Sequence, residues 1–420
     1  MNRNYSTLKA TLVKQLFNST SQIVFETTEK CNLACRYCTF RELYSHNDDR
    51  GSNGLVHMNI EYAKTFILYF IEQWKRKNFP HKNVYISFYG GEPLMNINLV
   101  KCIVNIVKQH RQEICVNPIF TMTTNGTLIL DNIEFLVDNN FKLLISLDGD
   151  KEGNSLRVYS GNNQESFEKV YFNIKKIRQR YPVFYKDNVS FNAVLHSRNG
   201  LSNILSFFEK QLDKEPIFST INPSSVNEVN RKEFDFINID FSKAVNNLSL
   251  EESNKIWGKY MYNNPYVSEL ISYVFNNSGN VFKDLNSLML GKSLRHGSFL
   301  SGTCLPFSKK VFLSARGLIL PCERVSHINS LGNISGGKVQ INFKEIADKY
   351  NLFYRKLSPQ CKSCDYNRSC LNCVLQDDSF VNTDKCNYFS ANGNLNVLIK
   401  KILFSHPDIY KTIVNETLIN

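Results

Sequence analysis

No stretch of the 420 residues approaches the ~20 uninterrupted apolar residues that a membrane-spanning helix needs, and no apolar run of signal-peptide length follows Met1-Asn2-Arg3-Asn4-Tyr5. The sequence therefore predicts a cytoplasmic protein without a membrane partner. A concentrated basic run is equally absent. The formal net charge is +12, but the Lys and Arg residues are scattered, which argues against a nucleic-acid partner and leaves an acidic peptide as the partner to consider. There are no internal repeats and no low-complexity tract, so neither a solenoid nor a disordered chain is expected. Disulfides are not expected either. In a reducing compartment the twelve cysteines read as metal ligands or catalytic thiols wherever they cluster. What the chain does have is apolar mass, 42% with 30 Phe and 20 Tyr, enough for a large core. At this length two domains are expected.

From Ile23 to about Pro223, short β-branched and aromatic runs alternate with longer helical patterns, the signature of repeated βα units on a parallel sheet. Six strands are predicted: Ile23–Glu26, Val84–Tyr89, Ile119–Thr124, Lys142–Leu147, Val189–Val194 and Pro216–Ile221. Several run into Gly, Asn or Asp, which marks the carboxyl ends of the strands as the functional face. Between Asn230 and Ser298 the alternation stops, and Leu250–Tyr262 and Tyr266–Phe275 show apolar residues at helical spacing. Beyond that, Lys309–Leu313 and Leu318–Leu320 flank Ser314-Ala315-Arg316-Gly317, a hairpin signal, and a second, smaller domain is expected to begin near residue 300.

Directly after the first predicted strand stands Cys31-Asn32-Leu33-Ala34-Cys35-Arg36-Tyr37-Cys38. Three thiolates on one short loop can hold three corners of a cubane 4Fe-4S cluster and leave the fourth iron open to a ligand. A partial zinc site or three ordinary buried thiols are the alternatives. The spacing, with an aromatic residue just before the third cysteine, resembles the signature loop of the radical S-adenosylmethionine (SAM) superfamily. The second strand of that family ends in Gly-Gly-Glu-Pro, and here Gly90-Gly91-Glu92-Pro93 follows Tyr85-Ile86-Ser87-Phe88-Tyr89. Thr124-Asn125-Gly126 and Ser146-Leu147-Asp148-Gly149, after the third and fourth strands, are similar to what the family places around SAM.

The resemblance implies a partial (β/α)6 TIM barrel and specific roles. Cys31, Cys35 and Cys38 would hold the cluster, and Gly90, Gly91 and Glu92 would meet the SAM amino group. Asn125, Ser146, Asp148 and Asn192 would line the cofactor. Ser146 is similar in position to a residue that contacts ribose and carboxylate, and Arg157 resembles the arginine that pairs with the SAM carboxylate. Tyr37 and Phe40 would pack near adenine. For Asn125-Gly126 and Arg157, a plain Asx turn and a surface salt bridge are the bland alternatives.

The remaining pattern is Cys304-x12-Gly317-x4-Cys322, then Cys361-x2-Cys364-x5-Cys370-x2-Cys373, then Cys386. A zinc ribbon separates its two knuckles by about 15–20 residues, a poor fit to a gap of five. The arrangement resembles the SPASM extension of radical SAM enzymes, which houses two auxiliary 4Fe-4S clusters. By that resemblance Cys361, Cys364, Cys370 and Cys386 hold one, and Cys304, Cys322 and Cys373 the other. The family usually has three residues before the fourth cysteine of the central run, where this chain has only Leu371-Asn372. Cys102 and Cys115 are left over and read as buried or inert thiols.

The expected organisation is a segment 1–20, a radical SAM barrel 21–229, a helical bridge 230–299, a SPASM domain 300–395 and a final segment 396–420. The expected cofactors are SAM and three 4Fe-4S clusters. The resemblance implies an oxidoreductase that modifies a precursor peptide or protein, fed by an electron donor such as flavodoxin or ferredoxin. The segment Thr39–His46 and Pro321-Cys322-Glu323-Arg324 are more similar to ribosomal-peptide maturases that form Cys thioethers than to anaerobic sulfatase-maturing enzymes, which oxidise Cys or Ser to formylglycine. Glu323, next to a cluster ligand, is the expected catalytic proton acceptor. The reading of a different class is an iron-sulfur or zinc-binding scaffold or electron carrier without catalysis.

Overall fold

The structure, a computed structural model, describes residues 7–44, 54–222, 226–239 and 304–364, with single positions at 244, 248, 373, 375, 386, 389, 404 and 407. Two compact units separate. One comprises Gln15–Ile256 with Pro306–Asn342, the other Met1–Lys14, Trp257–Leu305 and Phe343–Asn420.

The first unit is built on a single sheet whose six leading strands are parallel: β1 (Gln22–Thr28), β2 (Asn83–Gly90), β3 (Asn117–Thr124), β4 (Lys142–Ser146), β5 (Val189–Leu195) and β6 (Pro216–Thr220). They lie side by side in chain order, each joined to the next through helical crossovers, so the sheet forms an open, partial barrel. β1 is buried at every position but its first, as a strand covered on both faces must be. In chain order the helices flanking the strands are α1 (Ala10–Asn18), α2 (Ile60–Trp74), α3 (Ile97–Gln109), α4 (Ile133–Asp138), α5 (Phe167–Arg180), α6 (Pro182–Asn188), α7 (Leu201–Phe207) and α8 (Arg231–Ile237). In α2, Asn59 caps the first turn by accepting from the Glu61 amide at 2.9 Å, and Ala63, Phe66, Ile67, Phe70, Ile71 and Trp74 make one buried stripe. Phe66 meets Phe25 of β1 edge to face at 5.4 Å, which seats the helix on the sheet.

Four strands extend the sheet on the other side of β1. β7 (Val311–Leu313) pairs with β1 in parallel, and β8 (Leu318–Leu320), β9 (Gly332–Ser335) and β10 (Lys338–Gln340) follow antiparallel. The hairpin at 309–320 was expected to open a separate domain. It instead completes the barrel sheet, because Val311, Phe312 and Leu313 are all buried and cover a β1 edge that would otherwise present unpaired backbone groups. Gly317 turns this hairpin at φ +81°, and a Cβ there would stand 3.0 Å from the Tyr62 ring. β9 and β10 went unforeseen, although Gly336-Gly337, at φ +55° and +66°, is the dipeptide that a two-residue hairpin turn prefers.

In the second unit α9 (Phe343–Ser363) is the main described element. Asn351 on it binds both backbone groups of Leu8 at 2.8 Å, as a neighbouring strand would. Leu250–Tyr262 and Tyr266–Phe275 lie outside the described residues, as does Cys370. Among the described residues no helix is long and apolar enough to cross a membrane.

Candidate active site

The loop that leaves β1 carries Cys31, Cys35 and Cys38, all partly buried. It is pinned from two sides. The Ala34 and Arg36 amides donate to the Val158 and Leu156 carbonyls at 2.7 and 3.0 Å, and Asn32 donates to Thr127 at 2.9 Å while accepting from Asn125 at 2.9 Å. Below it, Tyr37 sits in a buried cluster with Leu43, Tyr44, Leu156, Ile221 and the α8 residues Phe234 and Ile237. The Asn125 amide also points at the Cys31 sulfur, 3.8 Å away, and Phe40 lies partly buried just after Cys38.

Burial pushes the Cys31 thiol up to about 11 and the Cys35 thiol to about 12, and raises that of Cys38 as well. Burial therefore favours the neutral thiols, and three thiolates here would need the compensating charge of a bound metal centre. Among the described residues, these three sulfurs do not converge within 4.8 Å of one another as the ligands of a single ion would. The donor set fits a multi-iron cluster better than one zinc ion.

At the end of β2, Gly90 and Gly91 let two backbones touch. A Cβ on Gly90 would lie 2.3 Å from the Thr28 carbonyl oxygen, and one on Gly91 2.2 Å from that of Lys30. Since both contacts are to backbone at the root of the cysteine loop, relief requires moving the loop itself. Gly91→Ala is expected to destabilise the protein by about 1–3 kcal/mol, read by urea unfolding, and to impair cluster uptake. Glu92 is fully buried. One of its oxygens accepts from the Leu94 amide at 3.1 Å and the Thr124 hydroxyl at 2.8 Å, the other from the Asn125 amide at 2.7 Å. Burial lifts its carboxyl to about 7 against the pull of these donors. The side chain thus ties β2 to the Thr124-Asn125-Gly126 turn.

Ser146 ends β4 and lies opposite Asn192 of β5, whose side-chain oxygen accepts from Ser219 at 2.7 Å. Asp148 and Arg157, expected at the cofactor, are turned to each other. The Arg157 Nε and one terminal nitrogen donate to the two Asp148 oxygens at 2.9 Å each, both side chains being buried. Two charges withdrawn from water have to pair, which accounts for the difference from expectation. Tyr37 also donates to Asp148, so its hydroxyl faces this pair.

Glu323 follows Cys322 at the end of the β7–β8 hairpin. Its carboxylate pairs with Lys310 at 3.2 Å, with the two side chains 23% and 25% exposed. The partner is thus not the adjacent Arg324, and the pair is largely covered. Tyr89, the residue before Gly90, lies within charge reach of Glu323, Cys38, Arg324 and Glu26, and burial is the main cause that raises its phenol. Its position immediately before Gly-Gly was the only signal in the sequence that pointed to it. Nearby, Glu26, Glu29 and His327 converge in the interior, where Glu29 takes Arg316 in a two-pronged pair at 2.7 and 2.9 Å and Glu26 accepts from the Ala315 amide. These bonds anchor the hairpin turn to β1.

In the second unit the Tyr354 phenol is raised by burial first and then by the charges of Cys304 and Cys373. Gln360 of α9 accepts from the Cys386 amide at 3.0 Å, and the Cys364 amide donates to the Cys361 carbonyl at 3.4 Å. Of the leftover thiols, Cys102 is partly buried, while Cys115 is exposed rather than buried.

Residues 25–205 match the Radical SAM superfamily. The chain carries a radical SAM domain. It is an enzyme, of the oxidoreductase type that works through radicals. Among curated proteins, the chain is 26% identical over 372 residues to a cysteine-type anaerobic sulfatase-maturating enzyme of Clostridium novyi (strain NT), spanning 84% of this chain and 87% of that one. It is 22% identical over 363 residues to the radical SAM cyclopropyl synthase TigE of Paramaledivibacter caminithermalis, spanning 79% and 72%. Its fold is shared with the structure described as native anSMEcpe with bound AdoMet and Kp18Cys peptide, at a TM-score of 0.60 and 19% identity over 94% of this chain and 99% of that one.

Proposed function

We propose that this radical SAM enzyme matures a peptide or protein substrate by oxidising a cysteine side chain to formylglycine. The observation that carries the reading is the placement of Tyr89 within charge reach of both Cys38 and Glu323. The Tyr89 phenol thus feels the charge both of Glu323, the proposed base, and of a cysteine on the loop where the radical would be made. The extent of the likeness to a sulfatase-maturating relative, 84% of this chain, favours this product over the thioether expected from the segment after Cys38.

In this reading Cys31, Cys35 and Cys38 hold a 4Fe-4S cluster, and SAM lies along Gly90, Gly91, Glu92, Asn125, Ser146 and Asn192, with Phe40 beside the adenine. When bound and reduced, the cluster and SAM supply a 5′-deoxyadenosyl radical that takes a hydrogen atom from the substrate Cβ. Glu323, paired with Lys310, accepts the thiol proton. One electron then leaves the substrate to give a thioaldehyde, to which water adds, and sulfur departs as hydrogen sulfide to leave the aldehyde. The acceptor of that electron is the role we assign to auxiliary clusters on Cys361, Cys364, Cys370 and Cys386 and on Cys304, Cys322 and Cys373. A flavodoxin or ferredoxin is the proposed source of the reducing electron.

Anaerobic reconstitution is expected to load about twelve irons per chain, since three ligand groups suit three four-iron clusters. About four irons would remove the auxiliary centres from the proposal, and stoichiometric zinc in freshly purified protein would make the second unit structural. The product assignment is tested by mass spectrometry of a cysteine-containing peptide incubated with reduced enzyme and SAM. Replacement of CH2SH by CHO supports formylglycine. Loss of two hydrogens with no loss of sulfur supports ring closure, the second reading, which the cyclopropyl synthase relative keeps in view.

A further inference from the structure

We propose that the buried Asp148–Arg157 pair is the electrostatic support of the first cysteine loop, setting how readily its cluster is reduced, rather than a binding site for the SAM carboxylate. The inference rests on the assignment of that cluster to Cys31, Cys35 and Cys38.

The geometry leaves the guanidinium little freedom. Asp148 is fully buried and accepts from Arg157 twice at 2.9 Å, from the Tyr37 hydroxyl and from the Val194 amide at 2.9 Å. His196 stands 3.7 Å from the same carboxylate, and Asn199 donates to the Asp148 carbonyl at 2.9 Å. To reach a cofactor, Arg157 would have to leave a buried anion without its charge partner, which is strongly unfavourable. Its backbone is held as well, the carbonyl accepting from the Ser166 hydroxyl and amide at 2.9 and 3.0 Å.

The pair also touches the loop directly. Tyr37 lies between Cys35 and Cys38 in sequence, and the guanidinium sits 5.4 Å from the centre of its ring. Seen from the sulfurs the pair is not neutral. At Cys35 the Arg157 cation acts more strongly than the Asp148 anion, and at Cys38 Arg157 acts while Asp148 does not register. The cysteines therefore face the positive end. Reduction adds one negative charge to a thiolate-ligated cluster, so a cation at this end favours the reduced state, and net charge is one of the levers that set such potentials.

The test is an anaerobic potentiometric titration of the reconstituted full chain followed by EPR, in which the first cluster is recognised by the change of its signal when SAM is added, with SAM affinity measured in parallel. Arg157→Gln is expected to make reduction at least tenfold less favourable, which is 59 mV for one electron. Asp148→Asn, which removes the opposing charge, is expected to move the potential the opposite way. SAM affinity should change by less than about threefold in either variant. An unshifted potential with SAM binding weakened tenfold or more in Arg157→Gln would return the arginine to the cofactor and overturn the inference. Shifts of the same sign in both variants would do so too, since they report only a loosened loop. Should Arg157→Gln fail to take up iron, Arg157→Lys with Asp148→Asn decides: the lysine must hold the wild-type potential and the asparagine raise it. If the wild-type protein shows no SAM-responsive cluster, the cluster assignment itself falls.

Discussion

Cys35→Ala is expected to reduce SAM cleavage to background in anaerobically reconstituted protein, while Cys364→Ala retains cleavage and loses product. Cys35 is the middle ligand of the loop that follows β1, and the loop is fixed by backbone bonds to 156–158 and by Asn32 and Asn125. Alanine offers no ligand atom at a position where burial pushes the free thiol up to about 12, so that a thiolate here would need a bound metal to form. On the proposed assignment each variant removes one cluster ligand, so the iron count should fall by about four in each, and SAM is proposed to lie along Gly90-Gly91-Glu92 and Asn125 beside the loop of Cys35. Cleavage measured as 5′-deoxyadenosine separates the two. A Cys35→Ala protein that cleaves SAM at the wild-type rate would show that the radical chemistry starts elsewhere.

The six barrel strands could be read from the sequence because each is a short β-branched or aromatic run bounded by turn residues, and strands buried on both faces need no alternation to announce them. The cysteine loop stands out in the sequence because its pattern is local, with three cysteines within eight residues. What depended on distant partners could not. The 311–313 run looks the same whether it opens a new domain or lies against β1, and only the pairing of Val24 with Phe312, nearly three hundred residues apart, decides between them. Asp148 and Arg157 illustrate the same limit at the site. Each was expected to face the cofactor, and nothing in the eight residues between them shows that both are buried and that their charges must compensate each other. Lys310 was passed over for a similar reason, since its partner across the hairpin, Glu323, is thirteen residues on.

That pairing bears on the most informative single substitution, Glu323→Gln. If the carboxylate serves only as half of an ion pair with Lys310, its worth is about 0–1 kcal/mol, and glutamine, which keeps the shape and can still accept from the lysine, should leave catalysis unchanged. If it takes the thiol proton, glutamine cannot substitute, and product formation is expected to fall by the ~10²–10⁴-fold that a general base contributes. Cluster content and SAM cleavage should stay normal, because Glu323 belongs to the β7–β8 hairpin and holds no part of the cysteine loop. Uncoupling is the signature: 5′-deoxyadenosine continues to accumulate while the peptide is not oxidised. Unchanged peptide oxidation would dismiss Glu323 as the base and shift deprotonation to a metal-bound substrate thiolate, since coordination by itself lowers a thiol's pKa enough to release the proton.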